Sequence, residues 1–129
     1  MAKQFTLGKN ERLKSRKSIE QLFAQGKKIV VAPYRVLYIS TEHAVNPSVL
    51  FGTGVSAKNF KKAVDRNRIK RLTKEAYRLQ KKTFQEKIKS GNLQVNVFFI
   101  YTAKTIAGYD EVYKKVGNIL NKLDKLIEL

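Results

Sequence analysis

The run AVDRNRIKRLTKEAYRLQKKTFQEKIK, residues 63–89, decides how the whole chain is read. It contains no Gly or Pro before Gly91, and Ile69, Leu72, Ala76 and Leu79 recur at steps of three and four, which predicts one long helix. On a wheel of 100° per residue these four fall on one side, and the opposite side is basic. Arg66, Lys70, Lys74 and Arg78 step by four, with Asn67, Arg71 and Lys81 beside them. Like charges one turn apart destabilise an isolated helix by a few tenths of a kcal/mol per pair. Nothing local offsets that cost, so the ridge suits a polyanionic partner. A merely solvated face interleaves Glu with Lys, whereas residues 58–82 set only Asp65 and Glu75 against eleven basic side chains. Guanidinium forks match phosphate oxygens in bidentate geometry. A membrane-surface helix would need its apolar side free, and this helix needs that side for a sheet.

On either side of the run the text changes to strand composition. Ser48–Ser56 alternates Val49, Phe51, Thr53 and Val55 with a face made thin by Gly52 and Gly54. Leu93–Ala103, dense in Val, Phe, Ile and Tyr, reads as a strand inside a sheet. Upstream, a period of two begins at Ile29. Tyr34, Val36 and Tyr38 alternate there with Arg35, Leu37 and Ile39, and Pro33 marks a strand start or a bulge. Asn46 and Pro47 form a turn between this strand and Ser48–Ser56, which predicts that the two pair as a hairpin. Ser15 caps a first helix over Arg16–Gln25, with Ile19, Leu22 and Phe23 at helical spacing and Gly26 at its end. After Gly108, Val112, Val116, Ile119, Leu123 and Leu126 form the stripe of a closing amphipathic helix. The order is helix, three strands, helix, strand, helix.

At 129 residues, 43% of them hydrophobic, the chain is expected to be one folded domain over 1–129, with 1–10 as a flexible amino-terminal stretch. Twenty-seven Lys and Arg against ten Asp and Glu leave +17, which points to nucleic acid. Zero cysteines exclude disulfides, thiolate zinc sites and Cys nucleophiles. One histidine, His43, and scattered carboxylates do not space themselves as metal ligands, so no metal site is expected in the chain. Met1–Asn10 lacks the apolar stretch of a secretory signal, and no apolar run approaches the roughly 18 residues of a membrane span. The expected compartment is cytoplasmic, without membrane or DNA partners.

The segment Val55–Leu72, centred on Arg66-Asn67-Arg68 and followed by Ile69-Lys70-Arg71-Leu72, resembles the signature of the protein component of bacterial ribonuclease P. Arg12–Phe23 ahead of Gly26 resembles that family's first helix, and Val36-Leu37-Tyr38 its second strand. The resemblance implies an α+β domain of order αβββαβα. Its mixed four-stranded sheet would carry a left-handed β-α-β crossover, opposed to about 98% of such connections. It implies a noncatalytic subunit of an endoribonuclease whose active site lies on a catalytic RNA, with Mg²⁺ bound mainly by that RNA. The enzyme removes the 5′ leader from precursor tRNA. Arg66, Asn67, Arg68, Lys70, Arg71, Lys74 and Arg78 would face the RNA subunit. Ile19, Phe23, Val36, Tyr38, Ser56 and Lys58 would line a cleft for the single-stranded leader, where aromatic faces suit unstacked bases. The chain departs from the family pattern in having Ile19 in place of an aromatic, Phe60 in place of Gly and Ala57 in place of Lys.

Each group has a plainer reading. Tyr38 and Phe23 also fit a core, as do Phe98, Phe99 and the terminal stripe. A lone surface His43 carries no role, and Ser56 beside Lys58 has no general base to make it a nucleophile. A ribosomal or other structural RNA-binding protein accounts for the charge equally well, without leader specificity. A metal-dependent protein nuclease lacks the clustered acids it would need.

Overall fold

The computed structural model describes residues 11–127, and the expected flexible stretch 1–10 lies outside the described residues. The elements are α1 (Arg16–Gln25), β1 (Lys27–Val31), β2 (Tyr34–Thr41), β3 (Ser48–Val55), α2 (Ala63–Ser90), β4 (Gln94–Tyr101) and α3 (Tyr109–Leu126). Ser15 caps α1 by accepting a hydrogen bond from the Ser18 amide at 3.3 Å. The helix ends at Gly26, whose N–H donates to the Leu22 carbonyl at 2.8 Å. A Cβ at Gly26 would sit 2.3 Å from that oxygen, so only glycine lets the chain turn so closely into β1.

Four strands form one mixed sheet in the order β1-β2-β4-β3. β1 and β2 pair antiparallel, β2 and β4 antiparallel, and β3 and β4 parallel. The expected hairpin between the second and third strands is therefore absent, because β4 lies between them. The hairpin is β1–β2, turned at Ala32-Pro33, and α2 carries the chain across from β3 to its parallel neighbour β4. The inserted strand is the one that is apolar on both sides. Val95, Val97, Phe99 and Tyr101 are fully buried on one face, and Phe98 and Ile100 are half-buried on the other. A strand of that composition stabilises the sheet most from its centre.

The two sheet faces carry separate clusters. On one, Tyr34, Val36, Tyr38, Phe51 and Phe99 pack under α2 and α3, with Phe51 stacked on Tyr77 at 3.9 Å. On the other, Leu13 and Leu22 pack on Leu37, flanked by Ile19, Ile39, Leu50, Phe98 and Ile100. Phe98 thus belongs to the α1 face and not to the main core where the sequence pattern puts it.

The buried side of α2 also differs from the expected stripe. Leu79 is 40% exposed and Leu72 only half-buried. The buried positions are Ile69, Thr73, Ala76, Tyr77, Lys81, Phe84 and Ile88. Two of them are polar with their partners inside. Thr73 Oγ1 lies 2.7 Å from the Tyr34 hydroxyl and donates to the Ile69 carbonyl at 3.0 Å. Lys81, 2% exposed, places Nζ 2.5 Å from Glu11 Oε1. Lys81 is consequently not a member of the basic ridge. Buried polar groups are tolerated when paired, so a stripe read from apolar residues alone misplaces the face. In α3 the last buried position is Ile127, just past the helix, and Leu126 points out.

Candidate nucleic-acid interface

α2 presents its first half to solvent along one side. Asn67, Arg68, Arg71 and Lys74 are exposed there, and Lys70 is half-buried. Arg66 has a second task. Its Nη1 donates to the carbonyls of Phe60 at 2.8 Å and Lys61 at 2.7 Å. Lys62 at the N-cap of α2 offers no side-chain cap, so Arg66 ties down the incoming loop instead. Phe60 anchors the same loop from inside, 8% exposed and tilted on Tyr101 at 6.1 Å. Arg78 grips Glu75, with Nε at 3.1 Å from one carboxylate oxygen and Nη2 at 2.5 Å from the other. That hydrogen bond holds the Glu75 carboxyl below the usual carboxylate range. The ridge borders a groove of about 620 Å³ lined by Arg12, Arg68, Arg71, Lys74, Arg78 and Tyr109, with Leu72 and Glu75 in its wall. Guanidinium groups concentrated on one concave surface attract phosphates and fix their orientation.

The expected leader cleft divides. Ile19 and Phe23 project from α1 toward the sheet face bearing Leu37 and Phe98. Val36 and Tyr38, 0% and 5% exposed, lie on the opposite face under α2 and α3. They cannot line a cleft on the α1 side, because successive strand residues point to opposite faces and the α1 face of β2 carries Arg35, Leu37 and Ile39. Ser56 and Lys58 follow the end of β3 in a turn, where the Ser56 carbonyl accepts from the amides of Asn59 and Phe60.

What faces α1 instead is Phe98. Its ring lies over Gly52 and Gly54 of the neighbouring strand. A Cβ on Gly52 would come within 2.7 Å of Phe98 Cδ1. Phe23, 49% exposed, stands edge-on to that ring at 5.7 Å and 62°. Two aromatic rings on a floor thinned by glycine, open to solvent on one side, offer π-faces to an unpaired base. The sequence held the signal in Gly52-x-Gly54, whose missing side chains make room for a large neighbour.

A family model for ribonuclease P matches residues 7–124. This chain belongs to the ribonuclease P protein family. The ribonuclease P protein component of Porphyromonas gingivalis is 34% identical over 120 residues, which cover 92% of this chain and 87% of that one. The counterpart from Clostridioides difficile is 33% identical over 113 residues, 87% and 90% of the two chains. Among solved structures, the RNase P protein of Thermotoga maritima superposes with a TM-score of 0.67 at 25% identity, covering 92% of this chain and 99% of that one. The Staphylococcus aureus RNase P protein shares the fold, with a TM-score of 0.66 at 17% identity over 92% and 98% of the chains. The match takes in α1, the basic ridge and all but the last two residues of α3, so both surfaces lie inside the ribonuclease P region. Among the described residues no helix is long and apolar enough to cross a membrane.

Proposed function

We propose that this chain is the protein subunit that assists a catalytic RNA in removing the 5′ leader from precursor tRNA, working in the cytoplasm. The observation that carries the reading is the exposed row Arg68, Arg71 and Lys74 beside Asn67 in the first half of α2. It faces the RNA subunit, with Lys70 and Arg78 at its margins and Arg66 holding the loop that sets its angle. The leader runs over the α1 face, where Phe23 and Phe98 receive bases, Ile19 packs beside them, and Arg35 supplies charge. Ser56 and Lys58 would meet the strand where it passes the end of β3.

Mg²⁺ bound mainly by the RNA would supply the chemistry of hydrolysis. Among the described residues no three His, Cys, Asp or Glu side chains gather as ligands. The protein neutralises phosphates, orients the RNA and retains the substrate's single strand, which is a matter of positioning and charge rather than bond chemistry.

Reconstitution tests this directly. The purified chain with its RNA should cleave precursor tRNA at low Mg²⁺ far faster than the RNA alone, and should bind precursor more tightly than mature tRNA. Equal rates with and without the chain overturn the assignment, and equal affinity for precursor and mature tRNA indicates a structural RNA-binding protein.

A further inference from the structure

Tyr109 and Tyr113 occupy successive turns of α3 on its α2-facing flank, their ring centroids 6.0 Å apart and tilted by 50°. Tyr113 is 40% exposed, and Tyr109 is half-buried, packed against the edge of the main core with part of its ring left open. α3 is held here by its backbone: Gln80 Nε2 donates to the Tyr113 carbonyl at 2.9 Å. Gly117, one turn on, keeps α3 close, since a Cβ there would meet Gln80 Oε1 at 2.5 Å. Tyr109 lines the groove together with Arg68, Arg71, Lys74 and Arg78, and Tyr113 stands beside it at the rim ring to ring. The Tyr109 hydroxyl is enclosed and has no hydrogen-bond partner among the described residues. Burial first, then the Glu75 carboxylate, pushes its pKa up, so the ring stays neutral.

We propose that this groove takes one unpaired nucleotide of the partner RNA, its phosphate held between Arg68 and Arg71 and its base laid on the Tyr109–Tyr113 pair. The inference rests on the RNA-binding reading above and adds α3, which no part of that reading uses. Aromatic stacking needs only a π-face, so the site accepts any base that leaves its helix. The arginines fix the backbone on either side. A groove of this size is within the roughly 300–1,000 Å³ typical of sites for small ligands. Opposite the arginines, a neutral ring suits a base better than a second phosphate.

The full chain is titrated with an RNA hairpin carrying a single-nucleotide bulge and with the same hairpin whose bulged residue is abasic. Wild type should bind the first about tenfold more tightly, in line with the stacking of one base. The double variant Tyr109→Leu, Tyr113→Leu should bind both alike while its dependence on salt stays that of wild type. With six tyrosines and no tryptophan in the chain, the emission is tyrosine emission. The bulged hairpin should quench it more than the abasic one in wild type only. If the double variant does not fold, Tyr113→Leu alone, at a half-open position, should lose about threefold of the preference. Wild type that fails to distinguish the two hairpins, or variants that keep the preference, overturn the inference. Failure of the underlying reading looks different: Arg68→Gln with Arg71→Gln would then leave affinity for both hairpins unchanged.

Discussion

The structure separates basic side chains that are free to meet phosphate from those already bound, and salt dependence measures the difference. Each phosphate contact contributes about 0.7 to 0.9 to the slope of log K against log salt. Over a fourfold change, from 50 to 200 mM, one contact therefore accounts for about 2.5- to 3.5-fold in affinity. Arg68, Arg71 and Lys74 are exposed. Changing all three to Gln should lower the slope by roughly 2 to 3, and should cut the loss between those salt concentrations by about 20- to 40-fold relative to wild type. Arg66→Gln should behave differently, because its Nη1 already serves the carbonyls of Phe60 and Lys61. Charged hydrogen bonds of this kind contribute roughly 1.5 to 3 kcal/mol when buried. At this half-exposed site about 1 kcal/mol of folding stability should be lost, with a smaller change in slope. Filter binding to the partner RNA at four salt concentrations, together with urea unfolding, reads both quantities. An Arg66→Gln slope as low as that of Arg68→Gln, with stability unchanged, would refute the division into free and anchored cations.

Three further outcomes are expected. Gly52→Ala puts a methyl group 2.7 Å from Phe98 Cδ1 and displaces that ring. It should reduce stability by roughly 1 to 3 kcal/mol, as overpacking does, and weaken the preference for precursor over mature tRNA while affinity for the RNA subunit holds. Lys81→Ala removes the charge partner of Glu11, leaving Gln85 as a donor to it, and opens a cavity under α2, which should lower stability by roughly 2 to 3 kcal/mol in urea unfolding. Lys81→Met with Glu11→Gln should recover most of that loss. Tyr34 has its pKa pushed up to about 12, chiefly by burial, with the hydrogen bond to Thr73 opposing. The unfolded chain ionises near pH 10. This stability is therefore complete below pH 10 and lost as pH rises through 12, a fall on the order of 2 to 3 kcal/mol at most. Tyr34→Phe should flatten that alkaline limb, and an unchanged limb would show that burial of this phenol is not its cause.

Local features were legible where one residue decides them. Ser15 and Gly26 bound α1 as their chemistry requires, and the Gly-free run ending at Gly91 is one helix. Pairing of strands was not legible, because the neighbour of a strand is chosen by the apolar content of both its faces, and β4 outcompetes β3 for the place beside β2. The leader residues show the same limit on a smaller scale. Alternation along β2 separates Val36 and Tyr38 from Leu37 and Ile39 but does not say which set meets α1. In α2, the sequence pattern puts Lys81 beside the basic ridge because its partner, Glu11, is distant in the chain. Tyr109 had no local signal at all, since it reaches the basic groove only through the packing of α3 on α2.

α2 resolves the conflict between its charge and its stability by dividing its length. The second half is fastened: Lys81 to Glu11, Gln80 to the backbone of α3, and Lys87 to both the carbonyl and the carboxylate of Asp124. The first half carries the repulsion, relieved at its two ends by Arg66 on the incoming loop and by Glu75 on Arg78. Between those ends, Arg68, Arg71 and Lys74 have no carboxylate within salt-bridge distance among the described residues. Their mutual repulsion costs tenths of a kcal/mol per pair, small beside the buried contacts of Phe84 and Ile88. A helix so arranged can stay folded before RNA arrives. Affinity for RNA and stability of the fold are then set by different residues of one element.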